Sequence, residues 1–384
     1  MKNQKEYRVD LETTEAGLYD LEQAWVALQR EASETPPFFT WEWVVTWWKH
    51  YGSQQQLWVL TARDAQNQLS GILPLMRDQI KLGPFPLNRL AFIGSGVVCP
   101  DHLDVVAKPV DQEPVCAAFA AFLQEHKGAW DILDLDGLSE NAALLQCLVA
   151  TGLSIQKINS VVCPYIPLPA DWDSYAQDLL SRRERKTLRN RQRRLHRDHP
   201  GLSEFHRVTD ATKLDAAMDW LIQLNLERWQ DKGGTSSFSR SRFAEFHRSI
   251  SSLALERDWL RLYQLRVADE VVAAEYGFLY HSVFLDYQSG FSPDWGMYSP
   301  GRLLQAFAIE EAIREGAREF DLMRGAEDYK YTWTDQQKND LRIVIPSPNV
   351  KGYLWLFSRL LRGKLRSVGK RAGLRTLLKR QGRS

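Results

Sequence analysis

The stretch from Tyr298 to Trp333 reads YSPGRLLQAFAIEEAIREGAREFDLMRGAEDYKYTW. It contains a loop, a helix and a strand in that order. Ser-Pro-Gly at 299–301 ends an extended segment. Residues 302–315 carry apolar side chains at helical spacing, Gly316 stops the helix, and REFDLM follows as a short apolar strand. The first turn of such a helix presents backbone N–H groups without partners and the positive end of the helix dipole. An anion can settle there, and Gly301 would let a phosphate approach the backbone. Ser299, Gly301, Arg302 and Leu303 are therefore candidate anion-binding residues. The alternative is that Ser-Pro-Gly merely starts a helix, since Pro suits the first helical position.

Upstream, LRLYQLRV (260–267) and VVAAEYGFLY (271–280) read as a hairpin, and SVFLDYQSGF (282–291) as a third strand. The first half has the same order. LWVLTARD (57–64) and LSGILPLM (69–76) form a hairpin. Lys81–Pro100 reads as loop with one short strand, LAFIG, and a helix follows over 111–127. WDILDLDGLSEN (130–141) then echoes EFDLMRGAEDYK (319–330). Two copies of one unit predict an α/β (α+β) fold of two tandem lobes. Each lobe is a mixed, mostly antiparallel sheet flanked by helices. The expected boundaries are 1–168, 169–346 and a basic tail, 347–384. In FFTWEWVVTWWKHYG, Phe39, Trp43, Trp47 and Tyr51 share one helix face behind a Thr40 cap and read as core.

The 384 residues are 44% hydrophobic and 25% charged, which excludes a mainly disordered chain. No apolar run reaches the ~20 residues of a bilayer-spanning helix. The first residues lack the apolar stretch of a secretory signal. Four cysteines, at 99, 116, 147 and 163, show no metal-site spacing and read as reduced, small hydrophobes in a cytoplasmic protein without a metal. The net charge of +1 hides an asymmetry. Arg182–Arg197 holds nine Lys/Arg and one acid, and Lys351–Ser384 holds eleven and none. The remainder carries 29 basic and 47 acidic residues, a balance of −18. The first segment reads as a solvated basic helix over 178–199. It lacks the exposed aromatics or reading helix of a nucleic-acid binder. In the second, Leu354, Phe357, Leu361, Leu365 and Val368 oppose Arg359, Arg362, Arg366 and Lys370. That amphipathic pattern fits an anionic membrane surface, and hence a peripheral position at the inner membrane; packing on the acidic body is the alternative.

The strand–strand–strand–loop–helix–strand order resembles the GNAT acyltransferase superfamily. With FFTWEWVVTWWKHYG and SRRERKTLRNRQRRL, it is most similar to the two-lobed branch associated with bacterial cellulose and exopolysaccharide biosynthesis, related to Fem-type aminoacyltransferases. The match spans roughly residues 35–335. Only the final glycine of the superfamily's phosphate loop is present, as Gly301. The resemblance implies an acyl donor, acetyl-CoA or another acyl-CoA, and transfer to an amine or hydroxyl of a sugar or cell-envelope precursor. It also implies a basic helix spanning the lobes and lining the acceptor cleft. Alternatives are an aminoacyl-tRNA donor, as in the Fem branch, or a non-catalytic adaptor of a polysaccharide synthase.

Acyl transfer requires donors aimed at a developing oxyanion, for which Gln288, Ser289 and Gly290 on a splayed strand are placed. It requires a base for the attacking nucleophile, with Glu275, Asp286 and Asp321 as candidates. Glu275 interrupts an apolar strand and either points inward for a reason or faces out. Asp321 either serves catalysis or fixes the loop at Gly325. Tyr329 is a candidate acid for the leaving thiolate, and Lys330 can do the same or, as the resemblance to Fem-type enzymes implies, contact donor phosphate.

Overall fold

The computed structural model describes residues 6–32 and 35–359. Thirteen strands are present among them. The first seven are β1 (Arg8–Glu12), β2 (Gln56–Arg63), β3 (Leu69–Leu82), β4 (Phe85–Phe92), β5 (Val106–Ala107), β6 (Ile132–Ser139) and β7 (Gln156–Pro167). The others are β8 (Ser203–Arg207), β9 (Leu260–Val267), β10 (Glu270–Tyr280), β11 (Val283–Phe291), β12 (Glu319–Asp321) and β13 (Gln337–Pro346). The helices of the first half are α1 (Glu15–Asp20), α2 (Glu22–Glu31), α3 (Trp41–Tyr51), α4 (Gln112–Glu125) and α5 (Ala143–Ala150). Those of the second are α6 (Trp172–Ser174), α7 (Arg182–Asp198), α8 (Ala211–Asp231), α9 (Ser241–Glu256) and α10 (Pro300–Arg314).

The predicted repeat is present in the sheet. β2–β3–β4 is an antiparallel meander, α4 follows, and β6 returns parallel to β4. β9–β10–β11 is the second meander, α10 follows, and β12 returns parallel to β11. Helices thus cross over between parallel neighbours, as a parallel pair requires. One continuous sheet joins the halves in the order β1-β2-β3-β4-β6-β13-β7-β12-β11-β10-β9-β8. At its centre β13, the last strand, lies between β6 and β7, while β7 continues onto β12. Each lobe therefore completes its sheet with chain from the other side of the sequence.

Thr40 caps α3 as predicted, its Oγ1 accepting from the Trp43 amide at 3.3 Å. Phe39, Trp43 and Trp47 are buried core, and Tyr51 packs at the edge of the same cluster. One expectation is corrected. Lys81–Pro100 is not mostly loop: β3 runs to Leu82, Gly83 turns in the left-handed region at φ 60°, and β4 starts at Phe85. Pairing along the whole hairpin outweighs Pro86, which sits near the start of its strand, where proline is tolerated. The tail from 360 onward, including Leu361, Arg362, Leu365, Arg366, Val368 and Lys370, lies outside the described residues. No helix among the described residues is long and apolar enough to cross a membrane.

Candidate active site

β11 positions the site through two irregularities. Its register with β10 slips so that Tyr276 faces Gln288 while Gly277 faces Asp286, leaving Tyr287 as the extra residue of a bulge. Its parallel pairing with β12 ends at Leu285 and Asp321. The Leu322 amide turns away to bond the Pro164 carbonyl of β7 at 2.9 Å. Beyond that point β11 continues along β10 to Phe291 while the other side of the sheet opens. The opening begins after Leu285, on the strand expected to splay at 288–290.

Two cavities adjoin the gap. The first, of about 260 Å³, lies at the start of α10. Ser299, Pro300, Gly301 and Arg302 line one side, and Glu275, Ser289, Phe291, Gln305, Tyr329 and Trp333 the others. Ser299 holds a left-handed backbone, φ 53° and ψ 56°, and gives α10 no side-chain cap. The carbonyl of Ser299 takes the Arg302 and Leu303 amides, so the Gly301 amide is left without a backbone partner at the helix start. A Cβ on Gly301 would meet the Phe291 ring at 2.8 Å, so any larger residue displaces a wall of this cavity.

The second cavity, of about 330 Å³, lies between the lobes. The Val97–Asp101 region of the first lobe supplies one wall and Asp286–Ser289, Leu322–Arg324, Tyr329 and α8 the rest. Polar contacts hold the lobes together across it. The Tyr287 hydroxyl donates to the Val98 carbonyl. Arg324 pairs with Asp101 and donates Nη2–H to the Pro100 carbonyl at 2.9 Å. Ser289, Tyr329, Arg228 and Lys232 line both cavities, so the two spaces meet there.

The carboxylates divide between the spaces. Glu275 points inward, 2% exposed, and its Oε1 accepts no hydrogen bond. Burial, and then the charge of Asp286, push its carboxyl well above the usual range. A protonated Glu275 is a hydrogen-bond donor toward the first cavity. Asp286 lines the second cavity and accepts from Gln305 Nε2 at 3.0 Å. Burial raises its carboxyl to about 6, while Lys330, the Gln305 hydrogen bond and Arg228 limit the rise. An acid in that range is ionised at neutral pH yet remains basic enough to take a proton. The Tyr329 phenol is pushed up by burial and then by Asp286, so it holds its proton.

Four predicted residues serve other purposes. Asp321 lies outside both cavities, fully buried, 2.9 Å from His102 Nε2 and 3.2 Å from Lys338 Nζ, and accepts the Met323 amide at 2.7 Å. Burial alone would raise it, but the His102 charge and hydrogen bond, with Lys338, hold it at about 2. Asp321 fixes a loop and a histidine that also meets Asp340 at 3.0 Å, and is too acidic to act as base. Lys330 reaches the second cavity, but its Nζ donates to the carbonyls of Met323, Arg324 and Gly325 at 3.1, 2.8 and 3.3 Å. It also lies 3.0 Å from Glu327, which leaves it poorly placed for phosphate. Gly290 is closed off because the α8 backbone at Asn225 lies 2.3 Å from where its Cβ would be. Leu303 is buried in the second lobe's core. Arg302 lines the donor-side cavity while paired with Glu184 at 2.9 Å and donating to Thr332 Oγ1 at 3.3 Å. No residue of α7 lines either cavity, contrary to the expectation that it borders the acceptor cleft.

Sequence reasoning missed α8. Arg228 Nη1 donates to Ser289 Oγ at 3.0 Å, and its guanidinium lies 5.1 Å from the Phe291 ring centre and 5.9 Å from that of Tyr329. Neither Arg228 nor Lys232, one turn on, has a carboxylate partner among the described ion pairs. Burial and then Arg228 lower the Lys232 pKa. The i, i+4 spacing in ERWQDK was the available signal, but only the fold shows that it faces the gap. Gln305 was likewise hidden inside a helix whose interest seemed confined to its first turn.

Residues 182–331 match the family described as Acetyltransferase (GNAT) domain. The fold is similar to that of FemX at TM-score 0.58 and 11% identity, covering 83% of this chain and 95% of that one. It is also similar to a conserved protein from Bacteroides thetaiotaomicron, at TM-score 0.54 and 12% identity, covering 88% and 100%. A third likeness is to the C-terminal domain of a protein from Agrobacterium fabrum assigned as a lysylphosphatidylglycerol synthetase, at TM-score 0.50 and 13% identity, covering 91% and 97%. No curated protein sequence matches the chain. The expected two-lobed α/β fold stands, and the second lobe carries the stretch that matches the GNAT acetyltransferase family.

Proposed function

We propose that the chain transfers an acyl group from an acyl-CoA in the cavity at the start of α10 to an amine or hydroxyl held between the lobes. The observation that carries this reading is the meeting of the two cavities at Ser289 and Tyr329, beside the opened β11–β12 pair. The donor's diphosphate faces the Gly301 amide and the α10 dipole, and its thioester lies along the gap. The acceptor nitrogen or oxygen attacks the thioester carbonyl. Its proton passes to Asp286, on the acceptor side. Backbone N–H groups of the splayed β11 stabilise the oxyanion. The C–S bond breaks as Tyr329 passes its proton to the leaving sulfur, and the proton taken by Asp286 restores the Tyr329 phenol. Glu275, protonated on the donor side, is a neutral hydrogen-bond donor rather than the base.

Arg228 and Lys232, which form no ion pair among the described residues, support an anionic group on donor or acceptor at the junction. The acceptor we infer is an amine or hydroxyl of a sugar or envelope precursor, a reading that rests on the resemblance in sequence. We keep the three-part division at 168 and 346 as a proposal, with strands exchanged at the centre. Thiol release from acetyl-CoA in the presence of amino-sugar and hydroxyl acceptors tests this. Turnover that Asp286→Asn cuts by ~10²–10⁴ supports it. Turnover with aminoacyl-tRNA and not acyl-CoA would replace the donor, and none with either would leave an adaptor role.

A further inference from the structure

α7 is held along one face, and beside it by Arg185, whose Nη1 donates to the Ala176 and Gln177 carbonyls at 2.7 and 2.6 Å. Glu184 pairs with Arg302, Leu188 packs on the second lobe's core, Arg191 donates to the Met297 carbonyl and Leu195 is buried. These residues are spaced i, i+4, i+7, i+11, a single stripe. Arg182, Lys186, Arg189 and Arg193 have the same spacing and, at 100° per residue, stand on the opposite side. All four are exposed, and none takes part in a described hydrogen bond or ion pair. The stripe runs for about 16 Å.

Folding gives no reason for it. Like charges at i, i+4 weaken a helix. The rest of the chain outside the two basic segments carries −18, yet no described carboxylate pairs with the stripe. The surroundings indicate the partner. Leu179, three residues before the helix, is 48% exposed, and Leu202, four after it, is 51% exposed. Cations flanked by exposed apolar side chains suit a lipid interface. A nucleic-acid backbone has no use for the leucines, and α7 offers no aromatic ring for base stacking. We propose that the outward face of α7 docks on an anionic phospholipid surface, with the arginines on headgroup phosphates and the leucines at the acyl boundary. This is independent of the acyl-transfer reading.

The test is flotation of the full chain with phosphatidylcholine vesicles, with and without phosphatidylglycerol. Each basic residue near such a surface contributes about fivefold in partitioning. Replacing Arg182, Lys186, Arg189 and Arg193 by Gln should lower partitioning onto the anionic vesicles at least a hundredfold. Arg189→Gln alone should lower it about fivefold and keeps the measurement decisive if the fourfold variant folds poorly. The same losses should appear when basic residues of the tail have been neutralised first. Partitioning unchanged by the stripe variants overturns the proposal. So does wild-type binding to duplex RNA that is tighter than to vesicles and is lost in the same variants while vesicle binding persists.

Discussion

Gln305 Nε2 donates to Asp286 Oδ2 at 3.0 Å. The bond joins the helix whose first turn borders one cavity to the carboxylate that borders the other. It also favours the ionised form of Asp286.

Rate should therefore depend on pH through that carboxylate. With Asp286 near 6, kcat/KM rises with pH through about 6 and levels off above it. Gln305→Leu removes a hydrogen bond to the charged form, so the midpoint moves to higher pH. A pH–rate profile that does not move in Gln305→Leu would remove Asp286 from the role of base.

Stability should show the opposite slope. Asp286 is more easily ionised in the unfolded chain, near 3.9, than in the folded one. The folded state then binds more protons between the two values, and its stability falls as pH rises from about 4 to 6. Asp286→Asn removes this penalty and should raise Tm at pH 8 but not at pH 4, by calorimetry.

Asp321 carries the reverse sign. Its folded value, about 2, lies below the unfolded one. The stability it contributes is present above pH 4 and is lost as pH falls toward 2. Asp321→Asn should lower unfolding free energy by ~3–5 kcal/mol at pH 7, because His102 then faces one carboxylate fewer in a buried site. Denaturant unfolding of the variant checks this; wild-type stability together with lost turnover would return Asp321 to the chemistry.

Gly301→Val should weaken donor binding at least tenfold, since the new side chain pushes Phe291 into the cavity. Arg228→Gln should weaken the binding of an anionic ligand and flatten its salt dependence, measured by titration at two ionic strengths.

The repeat, the hairpins and the strand after each crossover helix were legible because hydrophobic periodicity and turn residues are local. Glu275, Asp286, Ser299 and Gly301 could be singled out for a similar reason: each interrupts or ends an apolar element. What the sequence hid depends on long-range pairing. β13 finds its place between β6 and β7, and α8 brings Arg228 to Ser289, only once the sheet has closed. Asp321 stayed open between two roles because a buried acid that anchors a loop looks, along the chain, like one that moves a proton. The His102 that partners it is 219 residues away and lies in the other half.

Calorimetric titration of the chain with acetyl-CoA and with longer acyl-CoAs tests the donor assignment most directly. We predict heat at one site per chain for at least one of them, reduced at least tenfold in affinity by Gly301→Val. Absence of heat across the whole series, with the chain folded, would contradict the account.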